Sequence, residues 1–142
     1  MAEGDITVYN NFKEQVLLGA VDLSSDTLRV TLHTGYTPDV DHNVWGDASG
    51  TEYPTYGNYT ANGVQLLSGS VTQDDANDRA AFDANNVTWT SLNLSGTTPS
   101  DAVIRDTTAT ECLVCWVELG TTATNGGDYT LQWHTDGIFL LS

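Results

Sequence analysis

The sequence predicts a mainly β protein: an antiparallel β-sandwich or partly closed β-barrel with one short N-terminal helix. Charged residues are only 16% of the chain, so its polarity comes largely from Thr, Ser, Asn, Asp and Gly, the residues of strands and turns. Apolar side chains recur at every second position in several short runs, and turn-forming clusters separate those runs. With 142 residues there is room for one core, and residues 1–142 read as a single domain. A chain of this size buries enough surface to fold without a disulfide or a metal.

The helix comes first. Phe12, Val16 and Ala20 recur at four-residue steps, Asn10 or Asn11 is placed to cap the first turn, and Gly19 is placed to end the helix. After the turn-forming Asp22-Leu23-Ser24-Ser25-Asp26, residues 28–34 alternate as a strand. Leu28, Val30 and Leu32 face the core and His33 points the other way. Seven further strands follow over 64–72, 79–82, 87–92, 102–105, 112–119, 129–133 and 137–141, making eight in all. Their joints are rich in Asp, Asn, Gly and Ser, notably Asp74-Asp75-Ala76-Asn77-Asp78 and Asn125-Gly126-Gly127-Asp128. The run Leu113-Val114-Cys115-Trp116-Val117 is apolar on both faces, the pattern of a strand covered on two sides.

Residues 35–60 have no clear period. They carry Tyr36, Trp45, Tyr53, Tyr56 and Tyr59 among glycines and prolines. Aromatics in that number argue against disorder, so the segment reads as an ordered excursion packed on the sheet or on a neighbouring subunit.

Charge bears on partners. Four basic against 19 acidic residues give a formal net charge of -15, and Lys13, Arg29, Arg79 and Arg105 are scattered. Nucleic acid and anionic membranes both need a basic patch, so neither is expected as a partner. No apolar run reaches the roughly 18 residues of a membrane span, and no secretory signal opens the chain, which reads as soluble. Cys112 and Cys115 stand three apart in a strand, a spacing that sends them to opposite faces and disfavours a bridge. Two thiols without a framework fit a reducing compartment.

The search for chemistry returns little. The chain has no Gly-x-Ser-x-Gly elbow, no Gly-rich phosphate loop with Lys and no His-Glu-x-x-His. His33, His42 and His134 stand far apart and read as structural or solvated residues. Cys112-x-x-Cys115 lacks the second pair of a zinc site and reads as strand packing. No catalytic residue and no cofactor is assigned. Asp39-Val40-Asp41-His42-Asn43 opens like an EF-hand loop but lacks its later Gly and Glu. Asp74, Asp75, Asn77 and Asp78 are weak calcium candidates, and Arg79 beside them can offset the charge without an ion. The excursion admits three uses: a satellite hydrophobic cluster, an oligomer interface, or a platform on which sugars stack.

Several blocks occur together in one order. They are Tyr9-Asn10-Asn11-Phe12-Lys13-Glu14; the block from Val21-Asp22-Leu23 to Val30 with Tyr36-Thr37-Pro38-Asp39 behind it; and Asn58-Tyr59-Thr60-Ala61-Asn62-Gly63. Then come the run from Val71-Thr72-Gln73-Asp74 to Ala81-Phe82-Asp83, followed by Val87-Thr88-Trp89, and the ending Gly127-Asp128-Tyr129-Thr130-Leu131-Gln132-Trp133 with Gly137-Ile138. In these blocks the chain resembles a group of small virion structural proteins of tailed double-stranded DNA bacteriophages, over nearly its whole length. Two stretches, 45–56 and 106–111, fit the group less well.

The resemblance implies a non-enzymatic capsid decoration or cement protein, made in the bacterial host cytoplasm and bound to the outside of the head. Its partner would be the major capsid protein. Symmetric sites imply a homotrimer on threefold or quasi-threefold positions. The interface residues expected on this view are Phe12, Tyr36, Trp45, Tyr53, Tyr56 and Tyr59. A tail or neck component is the alternative within the same class. A carbohydrate-binding host-attachment module is the alternative from another.

Overall fold

The structure, a computed structural model, describes residues 4–121 and 123–142. In chain order it runs β1 (Ile6–Val8), α1 (Asn10–Leu17), β2 (Leu28–His33), two 3₁₀ turns (Trp45–Asp47 and Ser49–Thr51), β3 (Val64–Gln65), β4 (Ser70–Asp74), β5 (Arg79–Asp83) and β6 (Val87–Trp89). It ends with β7 (Asp101–Asp106), β8 (Cys112–Glu118), β9 (Tyr129–Leu131) and β10 (Phe139–Leu141). All the strand pairs are antiparallel. Five strands form the main sheet in the order β1-β8-β7-β2-β3, three form a second in the order β10-β5-β4, and β6 pairs with β9. The sheets stay open, an arrangement consistent with a sandwich, and no closed barrel forms among the described residues.

β7 is buried throughout, and β8 is buried from Cys112 to Val117, as a run apolar on both faces requires. A bulge interrupts their pairing. Ile104 lies opposite Cys115 and Arg105 opposite Leu113, which leaves Val114 as the extra residue. That residue changes the parity of the strand. Cys112 and Cys115 pair with Asp106 and Ile104, two apart on β7, and so share one face instead of the opposite faces expected from their spacing. Both thiols are buried and free.

The N-terminal segment departs from expectation at its start. Ile6–Val8 pairs with β8 as an edge strand that three residues are too few to announce by periodicity. Tyr9, not an asparagine, occupies the N-cap position, and no side chain caps the helix. The asparagines inside the first turn reach sideways instead: Asn10 Nδ2 donates to Asp41 at 2.9 Å and Asn11 Nδ2 to the Asn43 carbonyl at 3.1 Å. The C-terminal signal holds. Gly19 adopts φ +72°, its N–H bonds the Val16 carbonyl, and the Ala20 N–H bonds that of Gln15, the two bonds of a Schellman turn. Phe12 is buried, whereas Val16 is half-buried and Ala20 exposed.

The expected strand 64–72 is two strands. The chain leaves β2 after Gln65, turns through Ser68 at φ +59°, and joins the second sheet as β4. Phe12 meets Phe139 edge-on at 5.5 Å, and Phe139 lies 5.3 Å from Phe82, so α1, β10 and β5 share one part of the core.

Candidate functional site

The excursion 35–60 is laced by its backbone to two strands of the main sheet. Tyr53 N–H bonds the Leu32 carbonyl at 3.0 Å and Thr34 N–H bonds Thr51 at 3.0 Å. Farther along, Trp45 N–H bonds the Glu111 carbonyl at 2.9 Å and Leu113 N–H bonds that of Asn43 at 3.1 Å. The segment thereby covers the face of β2 that carries Thr31 and His33, and both are fully buried. This corrects the interface expectation for four of its six residues. Phe12, Tyr36, Tyr53 and Tyr59 are 4%, 8%, 8% and 1% exposed and belong to the core of the chain. Trp45 is half-buried, and Tyr56, at 56%, is exposed.

Beneath the excursion lies a polar network. Thr51 Oγ1 donates to the Ala48 carbonyl at 3.0 Å, which leaves it to accept from His33 Nδ1 at 3.0 Å. With the ring neutral, His33 Nε2 is the acceptor for the Thr31 hydroxyl at 2.8 Å, which takes that proton in preference to the Val103 carbonyl at 3.3 Å. Both ring nitrogens are used by a neutral imidazole. Burial, with a smaller push from Arg105, holds the His33 pKa down at about 4. The His33 ring packs 5.4 Å from that of Tyr36 and 5.7 Å from Trp45. Arg105 stacks its guanidinium 3.9 Å from the centre of the Trp45 ring, while its two terminal nitrogens bond Glu111 and Asn62. A second chain of hydroxyls leads outward: Tyr9 OH lies 2.8 Å from Tyr36 OH, which lies 2.9 Å from His42 Nδ1.

This arrangement has the parts of acid-base chemistry and no room for a substrate. Thr31 and His33 have no exposed surface, and a base whose two nitrogens are both engaged has no open position for a reacting proton. The network positions the excursion. Burial likewise pushes the Cys112 thiol up to about 11 and raises that of Cys115, so both stay protonated, the state of packing residues.

The four calcium candidates surround the β4–β5 turn, where Asp74 and Asn77 bond each other and Asp74 and Asp75 are also bonded by residues outside the four. Asp74 accepts from Asn77 Nδ2 at 2.7 Å and from Arg79 Nε at 2.8 Å, while Asp75 accepts from Gln73; Asp78 takes the turn through φ +51°. Among the described residues no group of three or more His, Cys, Asp or Glu converges as a metal site. His134 is exposed beside Asp136, 3.7 Å away.

Each of the four cations bonds within the chain, Lys13 from an exposed position. Lys13 bonds Asn10 at 3.1 Å, Arg29 bonds the carbonyls of Asn62 and Gly63, Arg79 pairs with Asp74 and Asp136, and Arg105 pairs with Glu111. The outer surface is left acidic, with exposed apolar side chains at Leu17, Leu18, Tyr56, Leu67 and Leu141. A cleft of about 740 Å³ opens between the β1–β8 edge and β9; Leu119, Tyr129 and Trp133 line it together with Glu118 and Asp128. No helix among the described residues is long and apolar enough to cross a membrane.

Reading the sequence missed the Arg105–Trp45 stack and the His33 network. One signal was present: an Arg inside the apolar strand segment 102–105 needs a partner close by in space. Comparison with family models, curated proteins and solved structures finds no match to this chain.

Proposed function

We propose that the chain is a non-enzymatic virion structural protein, a decoration or cement protein on the outer head surface of a tailed phage. The observation that carries this reading is the ordered set of sequence blocks described above, which spans nearly the whole chain. Two of them coincide with structural units: 71–83 covers the β4–β5 hairpin but for its first residue, and 127–133 contains β9. An acidic exterior whose cations are bound internally suits a protein kept away from packaged DNA.

Reinforcement would come from burial at capsomer junctions. Packaged DNA strains the contacts between copies of the major capsid protein, and a bridging protein adds interface that must be lost before they part. A standard interface buries about 1,600 Å² in total, and repetition over equivalent sites multiplies it. A homotrimer on threefold positions matches the symmetry of such sites. The contact surface would draw on exposed apolar side chains, Tyr56 and the Leu17-Leu18 end of α1, and not on the buried tyrosines.

Separation of virions into heads and tails on a density gradient, with the protein quantified in each, tests the reading. It requires the protein in heads at a copy number comparable to capsomers. A few copies confined to tails would overturn it in favour of a tail or neck part. The cleft favours one second reading, a carbohydrate-binding role, since aromatic side chains beside carboxylates suit a sugar. Binding on a glycan array that is lost on Trp133→Ala in a folded protein would support it.

A further inference from the structure

Away from the His33 network, three buried side-chain atoms among the described residues lack a hydrogen-bond partner, Trp89 Nε1, Trp116 Nε1 and Asp106 Oδ2, and of these only Asp106 is an acid. Asp106 ends β7 and is fully buried. Its Oδ1 accepts the N–H groups of Thr108 at 2.7 Å and Ala109 at 3.0 Å, while its Oδ2 is buried with no hydrogen-bond donor. A buried carboxylate oxygen left in that state is costly. The neighbouring group that acts on Asp106 is a second carboxyl, Asp26, next in the chain to Thr27, which bonds Thr107 and Thr108.

The backbone holds the two together. Leu28 of β2 is the register partner of Asp106. Thr107 donates both its N–H and its hydroxyl to the Thr27 carbonyl at 2.9 Å, and the Thr27 N–H donates to Thr108 Oγ1 at 2.9 Å. Asp26 Oδ2 accepts the Asp22 N–H at 2.7 Å, which fixes the carboxyl within its turn. Two ionised carboxylates held in contact at a desolvated site repel strongly, and one proton between them turns the repulsion into a hydrogen bond.

We propose that Asp26 and Asp106 share one proton in the folded protein, forming a carboxyl–carboxylate bond that latches the turn 22–26 onto the end of β7. This bond gives Asp106 Oδ2 its missing donor. A cation fits less well, because among the described residues no third His, Cys, Asp or Glu joins the pair and the Oδ2 atom is closed to solvent. The other groups near the pair do not supply the charge. Cys112, opposite Asp106 on β8, is a neutral thiol, and Leu28 on β2 is apolar. In the turn, Asp22 is a carboxylate bonded by the Ser24 N–H and hydroxyl. Arg29, Arg105 and Glu111 are committed elsewhere, to carbonyls or to one another. Burial first, and the Asp26 carboxyl after it, also raise the Asp106 pKa above the usual carboxylate range. A fold that holds a proton the unfolded chain has released gains stability on the acid side, and loses that gain as pH rises through the folded value.

Site-resolved carboxyl-carbon NMR titration of the full chain tests the proposal, with thermal melts of Asp26→Asn beside it. Asp106 is expected to release its proton above about 4, the ordinary Asp value, and the Asp26 carboxyl carbon to shift in the same step. Independent titration of both at or below that value overturns the proposal. An Asn amide supplies permanently the donor that the shared proton supplies only while bound. The variant should therefore melt at least about 3 °C above the parent at pH 8, with the difference shrinking towards pH 5. Glu14→Gln removes one exposed charge of the same sign and sets the baseline. A gain at pH 8 no larger than that of Glu14→Gln overturns the latch. So does a parent melting temperature at pH 8 that rises with calcium and falls with chelator, which would put a cation between the carboxylates.

Discussion

The phenol oxygen of Tyr59 lies 3.1 Å from the backbone nitrogen of Leu32 and 2.8 Å from Oε1 of Glu52. It accepts from the first and donates to the second. β3 pairs with β2 only at Arg29 and Val30, and the excursion bonds the Leu32 carbonyl through Tyr53. Between these two stretches a side-chain hydroxyl takes the place of a missing strand. Tyr59→Phe keeps the ring and leaves the buried Leu32 N–H without its acceptor, while Glu52 Oε1 keeps the Asn62 N–H at 2.6 Å, and should cost about 1–3 kcal/mol. Urea denaturation measures the loss.

His33 makes stability depend on pH in a definable window. Its folded pKa, about 4, lies below the usual 6.5. The unfolded chain therefore takes up a proton first, so stability is lost as pH falls from about 6.5 to about 4. The contribution is on the order of 3 kcal/mol. His33→Gln remains neutral and retains hydrogen-bonding groups, so its urea midpoint should fall less than that of the parent across this interval.

Arg105 is held by a fork and a stack, which Lys does not reproduce. Arg105→Lys keeps the charge but should lose about 2–4 kcal/mol, since it leaves a buried cation poorly paired. Near-ultraviolet circular dichroism should report the altered packing around Trp45.

The β7–β8 connection closes with Cys112 N–H on the Ala109 carbonyl, and Thr110 and Glu111 adopt φ +50° and +57°. That is the backbone of a tight hairpin turn of the kind that favours Asn and Gly. A β-branched residue there is strained. Thr110→Asn should stabilise the protein by about 0.5–1 kcal/mol, raising the melting temperature by a few degrees in calorimetry.

Tyr56 is exposed and Tyr36 buried, so the proposed head contact can draw on the first and not on the second. Tyr56→Ala removes an exposed ring and should leave the melting temperature within about 2 °C of the parent while lowering occupancy on reconstituted heads. Tyr36→Ala opens the excursion and should cost about 3–5 kcal/mol. Calorimetry and a head-binding assay distinguish the two.

How far the sequence could be read depended on the range of the forces involved. Alternation at Leu28, Val30 and Leu32, the Gly19 stop and the two-sided apolar run 113–117 state the β class, the helix end and a doubly covered strand. Each follows from local backbone preference or from the period of burial. The tyrosines were ambiguous, because an aromatic side chain has the same composition whether it meets the core or a partner. Pairing settled them: once residues 51–53 join the β2 edge, Tyr53 and Tyr59 turn inward and Tyr56, between them, stays out.

By itself the sequence determined that this protein is acidic and β-rich, with a short helix ended by glycine, because composition and periodicity act residue by residue. Tertiary pairing put Cys112 and Cys115 on one face, Arg105 beneath Trp45, and the end of the turn 22–26 against the end of β7. One bulged residue and a few register choices bring these groups together, and no local preference encodes a register between strands separated by tens of residues.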